Sequence, residues 1–159
     1  MTLHPQKQIT VLLADDHAVF RKSLKLLIEA DGDIQVVGEA KNGCEAVSLS
    51  KSLNPDVIVM DIAMPLLNGL QATQKIKAGS PGTKVLILSA HPDPEYIQQA
   101  MGFGASGYLF KQSSTHFLAQ AVREVKKGNA YFSASIPKHL RDEYQALFVK
   151  SEALKKSAA

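Results

Sequence analysis

Val57-Ile58-Val59-Met60-Asp61-Ile62-Ala63-Met64-Pro65 is the stretch that decides the fold. Four consecutive apolar residues with no polar alternation predict a strand buried on both faces, as in parallel sheets covered by helices. The run stops at a carboxylate, and Pro65 and Gly69 bracket the loop beyond it. Outward in both directions the chain alternates short apolar runs with longer amphipathic ones. Strands are predicted over 9–14, 34–39, 84–88 and 108–110. Between them helices are predicted over 17–30, with Phe20, Leu24, Leu27 and Ile28 at helical spacing, and after Asn42, with Glu45 as its capping-box partner. Further helices are predicted over 69–78 and 94–104. A fifth is capped by Ser113 or Ser114, runs to Lys127 and is stopped by Gly128. Five βα units in succession predict the α/β class: a doubly wound five-stranded parallel sheet, flavodoxin-like, with helices on both faces.

The remainder reads differently. Ser133-Ala134-Ser135-Ile136-Pro137 suits the start of a helix, with Pro137 tolerated in the first turn. Leu140, Tyr144, Leu147, Phe148 and Leu154 then recur at helical spacing. The expected organisation is a domain over 7–130 and a C-terminal helical extension over 131–159, read as a linker toward an output domain outside this chain. The stripe itself is read as core or linker packing.

Composition narrows the class. Apolar residues are 45% and charged residues 21% of 159, which excludes a disordered or low-complexity chain. The longest apolar runs are four or five residues, against about twenty for a membrane span. The N-terminus carries no secretory core. The single cysteine, Cys44, cannot pair within the chain, which fits a reducing, cytoplasmic location. Net charge is +3, too small to argue for a nucleic-acid surface. Residues 138–159 carry five basic against three acidic side chains, so much of that excess lies in the extension.

In a parallel α/β sheet, ligands sit at the carboxyl ends of the strands. Asp15 and Asp16 follow the first strand, Asp61 the third, Ser89 the fourth and Lys111 the fifth. Three carboxylates, a hydroxyl and an ammonium should share one rim. Lys111 alone leaves two negative charges unbalanced, and clustered carboxylates resist ionisation without a cation. An oxygen-rich acidic pocket suits Mg²⁺, which takes one or two carboxylates and keeps room for waters and a phosphate oxygen. Such a pocket attracts a phosphoryl group, and a carboxylate can accept it as an aspartyl-phosphate.

These motifs resemble the receiver domain of two-component response regulators. The resemblance rests on Asp15-Asp16, the 57–65 stretch, Gly69, Leu88-Ser89-Ala90 and Gly107-Tyr108-Leu109-Phe110-Lys111, and covers roughly 9–128. Ala14-Asp15-Asp16-His17, Asn42-Gly43 and Ala105-Ser106-Gly107-Tyr108-Leu109 are most similar to the NarL/FixJ (LuxR-type) branch. The resemblance implies that Asp61 is the phosphoacceptor and a sensor histidine kinase the phosphodonor. It implies that Asp16 ligates Mg²⁺ directly, Asp15 largely through water, and that Asp61 and the backbone carbonyl of Ala63 complete the set. Lys111 and Ser89 would contact the phosphoryl oxygens. Ser89 would move toward the phosphate and Tyr108 would follow it inward as the switch. The branch implies a homodimer on phosphorylation and DNA binding only through a separate output domain. The domain is then a phosphoacceptor switch with weak self-phosphorylation and self-dephosphorylation, not an enzyme.

Departures and alternatives are legible too. Gln112 follows Lys111 where many receivers have proline, and Ala63 and His91 flank the expected path of the attacking water. Asp16 competes for the role of helix N-cap. His17 and His91 read as rim residues and Cys44 as an inert helix residue. Helix five is a candidate contact surface through Phe117, Leu118, Ala121, Val122 and Val125, some of which must face the sheet. A stand-alone receiver working through protein contacts or in a phosphorelay is the second reading. An aspartyl-phosphate phosphatase of the haloacid dehalogenase kind is a remote third. That class resembles Asp-x-Asp after the first strand, and here the two aspartates are adjacent. A flavin site is disfavoured because no Ser/Thr/Gly-rich loop follows the first strand.

Overall fold

A computed structural model describes residues 7–112 and 115–157, with the side chains of 148, 149, 151–153 and 155–157 outside the description. The order is β1 (Ile9–Ala14), α1 (Ala18–Glu29), β2 (Ile34–Ala40), α2 (Gly43–Leu53), β3 (Val57–Met60), α3 (Gly69–Gly79), β4 (Lys84–Ser89), α4 (Pro94–Gly102), β5 (Gly107–Phe110), a 3₁₀ turn (Thr115–Phe117), α5 (Leu118–Lys126), β6 (Tyr131–Phe132) and α6 (Lys138–Ser157). The strands form one parallel sheet in the order β2-β1-β3-β4-β5-β6. Among the described residues no helix is long and apolar enough to cross a membrane.

Strand periodicity sorts the core into two layers. Leu12, Ala14, Ile58, Met60, Val85, Ile87 and Tyr108 face α2, α3, α4 and α6. Val11, Leu13, Val57, Val59, Leu86, Leu88 and Leu109 face α1 and α5. All four residues of β3 are buried, as the unbroken apolar run predicts. The helix punctuation holds at α2, where the Asn42 side chain accepts from the Glu45 amide at 2.8 Å. Glu45 reaches back to the amide of Lys41 rather than that of Asn42. Asn68 and Gln71 form a full capping box at α3. Gly128 takes φ +101° just past α5, the left-handed turn that glycine makes at low cost. The cap expected at Ser113 or Ser114 lies outside the described residues.

The sheet has six strands where five are expected. Tyr131 donates to the Ser106 carbonyl at 3.1 Å and Ser133 to the Tyr108 carbonyl at 3.0 Å, so the chain beyond Gly128 pairs with the outer edge of β5. The Ser133 hydroxyl also accepts the Phe110 amide at 2.9 Å. Gly107 makes the approach possible, since a Cβ there would lie 2.3 Å from the Tyr131 carbonyl oxygen. A two-residue strand is too short to leave a period-2 signal. Beyond it, α6 packs against α4, and Ile136, Leu140 and Tyr144 are buried in the same cluster as Met101, Ala105 and Tyr108. Phe132 and Tyr144 stack edge to face at 4.5 Å. The expected boundary after residue 130 thus falls immediately before residues that join the core. The stripe divides: Leu140 and Tyr144 are buried, Leu147 and Leu154 are exposed, and the Phe148 side chain lies outside the description.

Two further expectations are corrected. Leu118, Ala121, Val122 and Val125 are fully buried against the sheet, leaving only Phe117 of the suggested helix-five surface exposed. His17, not Asp16, occupies the N-cap of α1, and no side-chain hydrogen bond caps that helix.

Candidate functional site

The order of strands reverses between β1 and β3, which opens a crevice at their carboxyl ends. Asp15 and Asp61 are the residues that follow those strands. Their amides complete the ladder: Asp15 donates to the Ala40 carbonyl at 3.0 Å and Asp61 to that of Ala14 at 2.9 Å. Both side chains are therefore fixed by sheet backbone and are nearly buried.

Gly69 fixes the loop after Asp61. Its amide donates to the Ile62 carbonyl at 2.9 Å, and a Cβ at this position would lie 2.0 Å from the Asp61 carbonyl oxygen. Only glycine lets α3 start this close to the acidic residue. The Ala63 amide donates to the Asp61 carboxylate.

Lys111 arrives from the end of β5, where its amide donates to the Ser89 carbonyl at 2.9 Å. Its Nζ lies 2.7 Å from Asp15 Oδ2 and 3.2 Å from Asp61 Oδ2, and 4.7 Å from the centre of the Phe20 ring. Carboxylates of Asp15, Asp16 and Asp61 and the imidazole of His17 place ligand atoms within 4.8 Å of one another. His17 Nδ1 is 3.1 Å from Asp15 Oδ1 and 3.0 Å from Asp16 Oδ1. Arg21 donates to the Asp15 carbonyl at 2.5 Å and pairs with Glu39 at 3.1 Å.

Burial holds the Asp61 carboxyl above the usual carboxylate range, and the Asp15 charge pushes the same way against the pull of Lys111. Burial works against the charge on Lys111, but the hydrogen bond to Asp15 and the Asp61 charge prevail, and its pKa stands above the ordinary lysine value. One ammonium faces three acids here, a donor set of oxygens that fits a hard divalent ion.

Ser89 is buried, and its hydroxyl accepts the His91 amide at 3.0 Å. Tyr108 is already turned inward: it is buried, and its hydroxyl donates to the His91 carbonyl at 2.7 Å. Burial pushes the phenol up to about 12, so it stays a donor. Tyr108 also meets Phe110 edge to face at 5.7 Å. The structure thus brings Asp15, Asp16, Asp61 and Lys111 into one cluster, and places Ser89 and Tyr108 beside it, joined through the backbone of His91. Ala63 lies in the loop, exposed.

Sequence reasoning passed over Phe20 and Arg21 as site residues. Three and four positions after His17, they lie on the helix face that points back to the rim, a placement that apolar spacing alone does not separate from core packing. Phe20 falls in the apolar stripe of α1, and its type suits a core.

The family model described as the response regulator receiver domain matches residues 11–123. The transcriptional regulatory protein DegU of Brevibacillus brevis is 37% identical over 147 residues, 92% of this chain and 62% of that protein. The chain thus spans about three-fifths of the length of the curated relatives it matches. The signal receiver domain of the putative response regulator NarL from Mycobacterium tuberculosis superposes with a TM-score of 0.74 at 35% identity, covering 77% of this chain and 99% of that one. A LuxR-family response regulator from Aurantimonas sp. SI85-9A1 gives 0.81 at 31% identity, covering 86% and 98%.

Proposed function

The chain belongs to the response regulator receiver family, and from that premise we propose that it is a switch phosphorylated on Asp61 by a sensor histidine kinase in the cytoplasm. The observation that carries the reading is the position of Lys111, bridging Asp15 and Asp61 at 2.7 and 3.2 Å with Asp16 in the same cluster. Asp61 attacks phosphorus through a carboxylate oxygen. The new O–P bond forms as the P–N bond of the donor phosphohistidine breaks, and the leaving imidazole keeps the electron pair. A carboxylate nucleophile has no proton to lose, so the step calls for no general base, and Lys111 favours that ionised form. Asp15, Asp16, Asp61 and the Ala63 carbonyl would hold Mg²⁺, which supplies charge neutralisation at the phosphoryl oxygens. Lys111 would exchange part of its hydrogen bonding from carboxylate to phosphoryl oxygen, and Ser89 would release the His91 amide to donate to another.

Ser89 and Tyr108 meet at His91, so moving one changes the partners of the other. We read the inward Tyr108 as the conformation that phosphorylation stabilises. A shift from 1:99 to 99:1 needs about 5.5 kcal/mol, and a few charge-assisted hydrogen bonds are of that order. Self-phosphorylation and self-dephosphorylation would be weak, tuned by Ala63 and His91. The output is a homodimer formed on phosphorylation and, through an output domain reached by α6, DNA binding. The relatives named as transcriptional regulators support this part.

The test is intact mass after treatment with acetyl phosphate and Mg²⁺, with size measured in beryllofluoride. Wild type should gain one phosphoryl group and Asp61→Asn none. An asparagine variant labelled like wild type overturns the assignment.

A further inference from the structure

Lys111 is held on three sides, and only two of its neighbours carry charge. Asp15 and Asp61 account for the ammonium's ion pairing but do not fix its place, because a point charge on a flexible four-carbon stem can satisfy carboxylates from many positions. The third neighbour is the ring of Phe20, whose centre lies 4.7 Å from Nζ. An aromatic face attracts a cation inside about 6 Å, and the attraction grows when water is excluded. Lys111 is only 16% exposed. Phe20 is itself anchored, packed against the buried layer that joins α1, β1 and α5. The contact joins the first turn of α1 to the end of β5, across the mouth of the acidic cluster.

We propose that Phe20 is a positioning residue for the phosphoacceptor site, its ring holding the Lys111 ammonium between Asp15 and Asp61 so that it meets an incoming phosphoryl group without a search. The proposal rests on Asp61 being the phosphoacceptor. The ring supplies no oxygen donor, so it has no part in holding Mg²⁺. Leucine or methionine would restore the apolar volume and the packing but not the π-face. Tyrosine keeps the face and can send its hydroxyl to solvent, because Phe20 is only partly buried.

The test titrates beryllofluoride into the full chain in saturating Mg²⁺, for wild type, Phe20→Leu and Phe20→Tyr, and titrates Mg²⁺ alone into each. The leucine form should bind beryllofluoride about three- to tenfold more weakly and the tyrosine form within about twofold of wild type. Mg²⁺ affinity should be the same in all three. Phe20→Met replaces the leucine form should that not fold. Equal beryllofluoride binding in the ringless forms, or a tyrosine form as weak as the leucine form, overturns the proposal. So does a parallel loss of Mg²⁺ affinity, which marks a packing role. A wild-type chain that takes up no beryllofluoride overturns the phosphoacceptor reading and this proposal together, whereas wild-type uptake with no dependence on the ring overturns this proposal alone.

Discussion

At the scale of the residue, the acidic cluster works against the stability of its own fold. Burial and the neighbouring Asp15 raise the Asp61 pKa, so the folded state binds that proton more tightly than the unfolded chain does. Stability is then lost as pH rises from the unfolded value, 3.8, through the raised folded value. Metal-free Asp61→Asn should be more stable than wild type at pH 7, with the gap closing on acidification through that window. Denaturant unfolding at several pH values checks this, and a variant less stable than wild type at pH 7 would contradict it. Gly69 has the opposite sign. Gly69→Ala would drive a methyl group onto the Asp61 carbonyl, 2.0 Å from where the Cβ must sit. The expected cost is about 2–3 kcal/mol, with weaker beryllofluoride binding because the loop that carries Asp61 must move. Asp15, Asp61 and Lys111 were legible in sequence because each ends a strand, and strand ends of a parallel sheet share a rim. Phe20 was not, because an apolar residue at helical spacing carries no mark that distinguishes packing from contact with a cation.

At the scale of the element, the strands and helices were legible wherever apolar spacing was long enough to show a period. Their bounds shift by a residue or two, as at α1 and α4, where no side-chain hydrogen bond caps the first turn and periodicity alone does not fix the end. What spacing could not show is how α5 is tied to the far end of the sheet. Arg123 grips Asp33 with two nitrogens, at 2.6 and 3.0 Å, and Asp31 with one at 2.9 Å. These partners are about ninety positions apart in sequence, so no local pattern announces them. The Arg123 guanidinium holds the Asp33 carboxyl below its ordinary 3.8. A depressed acid contributes stability above its unfolded pKa and loses it as pH falls through the folded one. Both side chains are a third or more exposed, or nearly so, and water screens the pair. Arg123→Ala should therefore cost only about 1 kcal/mol at pH 7, less in high salt, and nothing once Asp33 is protonated below the usual carboxylate range. Urea midpoints at low and high salt and across pH 2–7 measure this, and a loss that persists unchanged in strong acid would mean that the arginine acts through packing.

At the scale of the whole molecule, the question is where the cooperative unit ends. Composition and periodicity placed the boundary after residue 130, since Gly128 stops α5 and a new helix pattern starts near Pro137. Beyond that boundary β6 pairs with β5, and the side chains of Ile136, Leu140 and Tyr144 join the buried cluster. Ile136, Leu140 and Tyr144 are 1%, 2% and 3% exposed, and they cover the layer that contains Tyr108. If α6 were a loosely attached linker, shortening Leu140 would alter only local fraying, and the main unfolding transition would not move. If the helix belongs to the core, Leu140→Ala opens a cavity in the common layer and should cost about 2–4 kcal/mol, with one transition and an unchanged m-value. Leu147 lies two turns further along the same helix and is 51% exposed. Leu147→Ala should move the midpoint by no more than about 0.5 kcal/mol. Circular dichroism and tyrosine fluorescence should report the same midpoint for Leu140→Ala, since Tyr108 and Tyr144 sit in the affected layer. Two separated transitions, or equal effects at 140 and 147, would place the boundary where the composition first put it.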